Sequence, residues 1–150
     1  MIEVLLAIVI LAIGLLAGSR MQILGLNYTQ SATTRSYATM AANDILDRMR
    51  MNREGAATYV GFDTATSAVP DNQNCAVNLC DATRRANQDL RIWARYFRAG
   101  DATDVATLLP PNASGSIAQD GNSFVVTVTW DDLIEGEAEA GQNVIISAVL

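Results

Sequence analysis

Glu3 is the only acidic or basic side chain in Met1–Gly18, MIEVLLAIVILAIGLLAG, a run that is otherwise apolar. Hydrocarbon solvates a carboxylate poorly, at about 2.5–3.5 kcal/mol for an acid at mid-span and less near an edge, where Glu3 stands. An acid kept in such a segment calls for a cationic partner. The next reactive groups are Cys75 and Cys80, in a polar loop of a chain with no histidine. Two thiols without an imidazole make a poor zinc site, so a small disulfide loop in an oxidising compartment is favoured over a metal or redox role. Arg84, Arg91, Arg95 and Arg98 recur on one side of a helical pattern and could meet a neighbour's acids or a polyanion; an ordinary solvated face is the favoured reading. Five acids, Asp131, Asp132, Glu135, Glu137 and Glu139, punctuate DDLIEGEAEAG. They are oxygen ligands of the kind calcium takes, but their spacing fits no calcium loop, and a solvated connection is favoured. No histidine base activates a serine, and no glycine loop cradles a phosphate. No catalytic residue, metal or cofactor is expected.

The elements that would position these groups begin with a helix from Ile2 to about Arg53. The stretch lacks proline and is rich in alanine and long side chains. Unbroken, it would reach about 78 Å at 1.5 Å per residue. Residues 1–26 are apolar enough for a membrane or a packed core. The basic leader expected of a cleaved secretory signal is not seen, although LLAGS could serve as a cleavage site. Ala7, Gly14, Gly18 and Gly25 lie seven, four and seven apart, which puts them on one helical face together with Leu11. Gly14 and Gly18 form a GxxxG pair that lets another helix approach closely. Beyond Arg20 the pattern turns amphipathic, and residues 27–53 make the amphipathic half of the stalk. Leu24, Tyr28, Ala38, Ala42, Ile45 and Met49 would face a core, and Arg35, Asn43, Asp44, Asp47 and Arg50 would face water. Asp44 and Arg48 make an i,i+4 pair worth a few tenths of a kcal/mol. Gly25 is a point where the helix could loosen, and Gly55 suits a C-terminal cap.

MIEVLLAIVILAIGLL closely resembles the N-terminal segment of type IV pilins, whose mature chains open Phe-Ser/Thr-Leu/Met-Ile-Glu-Val after a peptidase cuts behind glycine. Met1 falls at the third position of that pattern and Glu3 at its acid, so the resemblance implies two further mature residues and a glycine upstream. MAANDILDRMRMNREGA, TLLPPNASGSI and VTVTWDD are similar to the minor-pilin subfamily PilV. The resemblance implies an α+β type IV pilin fold: a long helical stalk, a small head with one further helix, and a C-terminal antiparallel sheet. It also implies a single-pass inner-membrane protein with a periplasmic head that later enters an extracellular filament. The implied partners are other minor pilins, the major pilin, the inner-membrane assembly platform, prepilin peptidase and the inner membrane. Glu3 would pair with a neighbour's N-terminal amine. A minor pseudopilin of type II secretion, or a surface adhesin or DNA-uptake receptor using the arginine stripe, is the alternative.

The head spans residues 54–150: a loop over 54–83 holding both cysteines, a helix over 84–99, a short helical turn over Asp104–Leu109, and a sheet over 116–150. Asp120-Gly121 signals a hairpin. Phe124, Val126, Val128 and Trp130 alternate onto one face of a strand, and Asn143–Leu150 supplies the third strand. Sixteen acids against ten bases, all arginine, give a net charge of −6, which discourages nonspecific nucleic-acid binding. The mean hydropathy of +0.17 is accounted for by the first helix.

Overall fold

The structure is a computed structural model that describes residues 2–98, 108–134 and 137–150; the side chains of residue 17 and of 132–134 and 137–140 are not described. Helix α1 runs unbroken over Ile2–Met51, with no interruption at Gly25. Its middle third is rich in serine and threonine, which often compete with the helix for backbone partners. Here they bond backward instead: the Thr29, Thr33, Thr34 and Thr39 hydroxyls each donate to the carbonyl four residues earlier, at 2.8–3.1 Å. Asn52 leaves helical geometry at φ −130°. A 3-10 turn (Arg53–Gly55) and the one-turn helix α2 (Ala56–Tyr59) follow. Gly55 is not a left-handed cap, since its φ is −91°. Close approach requires glycine there: a Cβ would lie 2.6 Å from the Ala82 carbonyl oxygen.

Helix α3 spans Ala82–Ala94, beginning and ending earlier than the spacing of apolar residues suggests. Its start is set by Asp81, whose side chain accepts from the Arg84 N–H at 2.8 Å. Tighter turns at Tyr96 and Phe97 replace its last expected turn, and Gly100 lies outside the described residues. So does most of the expected Asp104–Leu109 turn.

Strands β1 (Ser114–Asp120), β2 (Ser123–Ile134) and β3 (Glu137–Ala148) form an antiparallel sheet in the order β1-β2-β3. The first hairpin turns on Gly121 and Asn122, one residue later than Asp-Gly implies, with Gly121 at φ +58°. The segment after α2 covers the outer edge of β1: Gly61 donates to Ile117, Ile117 to Phe62, and Thr64 to Gly115. The acidic connection is not a loop. β2 continues through Asp131 and Asp132, and Glu137 and Glu139 stand in β3. The ladder shifts register between Trp130 and Asp132, and the Asp131 carboxylate accepts from Gly141 N–H at 3.0 Å, with Gly141 at φ +81°. This is a bulge that places a glycine at the strained position. Glu135 lies outside the described residues.

The core forms where the second half of α1 meets the sheet and α3. Ala38, Ala42, Ile45 and Met49 are buried together with Ala41 and Leu46. Phe124, Val126, Val128 and Trp130 of β2 close on them as the alternation implies. Tyr28 is exposed, because the head begins further along the helix. Asp44 is half-buried rather than facing water.

Candidate assembly surfaces

The outer half of α1 is long and apolar enough to cross a membrane: its best 18-residue window has a mean hydropathy of 2.5, and none of it is buried by the rest of the chain. Glu3 lies in the first turn, exposed. An acid there also meets the positive end of the helix. At 100° per residue, Ala7, Leu11, Gly14, Gly18 and Gly25 fall within an arc of about 60°. A Cβ built on Gly14, Gly18 or Gly25 meets nothing within 4 Å. Within one chain, then, these glycines have no packing reason to lack a side chain. Space is left on that face for something else.

The inner half of α1 is joined to the head by a polar knot that the sequence did not reveal. Arg48 Nε donates to Asp44 at 2.9 Å, as the i,i+4 spacing implies, but its Nη1 also donates to Asp89 of α3 at 3.2 Å. Asp89 is 13% exposed at its side chain and accepts from the Tyr59 hydroxyl at 2.7 Å. Tyr96 reaches Asp44 at 3.4 Å. Burial works against the Arg48 charge, yet its hydrogen bonds to Asp44 and Asp89 and their charges hold its pKa above the ordinary value. Burial, reinforced by Asp89, pushes the Tyr59 hydroxyl well above the usual tyrosine range. Burial and the Asp44 charge raise Tyr96 in the same direction. The pair read as helix support is thus half of a junction between stalk and head. Beside it, the Trp93 indole N–H donates to the Ala41 carbonyl at 2.9 Å across a buried contact.

The arginine side of α3 is used from within. Arg84 donates to Gln73 at 3.3 Å, Arg91 to the Pro70 carbonyl at 3.1 Å, and Arg98 to the Ser67 carbonyl at 3.4 Å. Arg84 and Arg91 of α3, and Arg98 beyond its end, thus each reach the 60–81 segment, while Arg84 stays exposed. Arg95 is exposed and also takes part in an interaction. Cys75 and Cys80 form a disulfide. Between them, Val77 and Leu79 are 88% and 99% exposed. An apolar pair bracketed by cysteines in a polar stretch was the sequence signal for that feature. Among the described residues no cluster of three or more His, Cys, Asp or Glu side chains could hold a metal ion.

Residues 20–91 match the model of a family described as Tt1218-like, type IV pilin Tt1218. That stretch is similar to a type IV pilin. It takes in the amphipathic half of the stalk, the disulfide loop and most of α3, just under half of the chain. No curated protein and no solved structure matches. A long N-terminal apolar helix, later helices and a three-stranded antiparallel sheet are consistent with the type IV pilin α+β fold. The exposed apolar half of α1 is consistent with membrane anchoring.

Proposed function

We propose that this chain is a non-enzymatic pilin subunit of the minor, PilV-like kind, which joins or primes a type IV pilus with other pilins. The observation that carries this reading is the division of α1. One continuous helix enters the pilin-like segment at residue 20, and the large apolar side chains before it, from Ile2 to Leu16, are exposed. In the proposed mechanism the subunit waits in the inner membrane with its head in the periplasm. It leaves lipid when its apolar half packs against the stalks of neighbours. Glu3 then meets the N-terminal amine of an adjacent subunit. In a low-dielectric surrounding that attraction is several times stronger than in water, and an unpaired carboxylate there is costly. Wrong stagger is therefore penalised, while mere contact is not enough. The small-residue face lets stalks approach closely.

The engagement of Arg84, Arg91 and Arg98 within the head counts against a DNA-uptake receptor that would need those side chains open. Glu3→Ala is the test. The substituted chain should stay in the membrane fraction, because deleting the acid makes insertion easier. Its recovery in sheared filaments should fall. Normal recovery would overturn the pairing, and absence of the unsubstituted chain from filaments would overturn the pilin reading itself.

A further inference from the structure

Stalk and head enclose a groove of about 700 Å³ between α1 and the segment before β1. Small-molecule sites run from about 300 to 1,000 Å³, so its size is that of a ligand site. Three separately braced walls form it. On α1, Asn27, Gln30, Thr34 and Tyr37 line it along one continuous helix. Opposite stand Pro110, Pro111 and Asn112, in a turn closed by Ala113 N–H donating to the Pro110 carbonyl at 2.9 Å. The two proline rings restrict the backbone of that turn. The third wall is Asp131 of β2, at the register shift between Trp130 and Asp132. Gly141 N–H holds its Oδ1 at 3.0 Å and leaves Oδ2 as an acceptor. Bulges often re-aim a side chain in this way.

The lining sorts by chemistry. Among the described residues, no hydrogen bond engages the side-chain amides of Asn27, Gln30 or Asn112. Each amide both donates and accepts. The Thr34 hydroxyl gives its proton to the Gln30 carbonyl at 3.1 Å, so toward the groove it accepts. Apolar surface lies among these groups: the Tyr37 ring, 38% exposed, Leu108, and the prolines. Among the described residues no lysine or arginine lines the groove.

That set excludes several occupants. An anion would meet Asp131 with no cation to offset the repulsion. A wholly apolar ligand would strip water from the amides and the carboxylate without replacing its hydrogen bonds. A sugar ring satisfies both demands. Its hydroxyls donate and accept, and its C–H faces lie flat against the electron-rich face of an aromatic ring. The volume leaves room for more than one ring. Because helix, proline turn and bulge are already set, little ordering is lost on binding.

We propose that this groove binds a neutral oligosaccharide. Tyr37 stacks on a ring face, and Asp131 with the amides of Asn27, Gln30 and Asn112 takes the hydroxyls. The proposal adds a ligand to the chain and does not depend on its polymerising.

The test applies the full-length chain, in a detergent without a sugar headgroup, to an array of neutral and acidic glycans. The strongest binder is then titrated by calorimetry. The array carries N-acetylglucosamine oligomers, as in cell-wall strands, and hexose-only oligosaccharides, as in surface polysaccharides, so the hits separate those two sources. Binding to neutral glycans of either kind is expected. Tyr37→Ala and Asp131→Asn should each weaken it by about tenfold or more, whereas Tyr37→Phe, which keeps the ring, should retain most of it. The denaturation midpoint should be unchanged in all three, since Tyr37 and Asp131 lie outside the core. No neutral glycan bound, a preference for acidic glycans, or binding undiminished by Tyr37→Ala and Asp131→Asn would overturn the proposal. The titration uses the isolated chain, so its outcome is separate from recovery of the chain in filaments, which tests the pilin reading.

Discussion

The two halves of α1 share one unbroken helix but not one solvent. In the outer half, the leucines, isoleucines and valines from Ile2 to Leu16 are more than half exposed, and Gly14, Gly18 and Gly25 face open space. In the inner half, Ala38, Ile45, Leu46 and Met49 have no exposed surface. The head shows what a glycine looks like when its own chain needs it. A Cβ on Gly115 would fall 2.6 Å from the rings of Phe97 and Trp93. The difference teaches where the packing of the chain stops: the inner half is covered by the head, whereas the outer half is left uncovered by the described residues and is assigned to assembly only by the proposed function. Substitutions should therefore separate cleanly into those read by folding and those read by assembly.

Trp93→Ala should give the largest folding effect. The indole is fully buried, packs edge-on against Phe97 with ring centroids 5.1 Å apart, and donates to Ala41. Its loss should cost about 3–5 kcal/mol, measured as the denaturation midpoint of the detergent-solubilised chain. An unchanged midpoint would mean that stalk and head are not joined through this ring.

Arg48→Met should come next, at about 2–4 kcal/mol, because it strands the Asp44 and Asp89 carboxylates without their cation. Adding Asp89→Asn should recover part of the loss, since one stranded charge is then gone. Tyr59 carries the pH signature of the same junction. Its pKa is raised in the folded state, so the neutral hydroxyl is favoured there. That contribution is complete below the ordinary tyrosine pKa of 10.0 and is lost as pH rises beyond it. Melts between neutral pH and the alkaline limit should show the stability of the chain falling above that value. Tyr59→Phe should flatten the fall while lowering stability at neutral pH, and an equally steep fall in the variant would remove Tyr59 as its cause.

Much of this division was legible in the residues. The absence of proline and the run of apolar side chains gave the helix, and alternation from Phe124 to Trp130 gave the buried strand face. The junction was not legible, because Asp89 and Tyr59 are far from Arg48 in sequence and only tertiary packing brings them together. The acidic stretch misled for a related reason. Five acids and two glycines resemble a loop, but a strand edge tolerates charge, and a bulge at Gly141 absorbs the irregularity. The arginines of α3 were visible as a stripe, whereas the carbonyls that receive them belong to a segment without a periodic pattern. Of the assembly face, spacing alone placed the small residues together, and the acid was conspicuous by its setting. The partner proposed for them lies outside the chain, so no residue of the chain could mark it.

The smallest folding effect belongs to Gly14→Leu with Gly18→Leu. Both positions are exposed on the outer half of α1, and an added Cβ meets nothing within 4 Å. Leucine is also the better helix former and dissolves readily in hydrocarbon. The denaturation midpoint of the head should therefore stay within about 0.5 kcal/mol of the original, and membrane retention should be unchanged. Filament recovery should nevertheless drop, because two leucines in place of the GxxxG pair hold neighbouring backbones apart. A pair of larger side chains that weakens assembly without touching the fold is what the open outer face requires. If recovery were unaffected, the small residues would be ordinary membrane-helix glycines, and the packing face would lie elsewhere on α1.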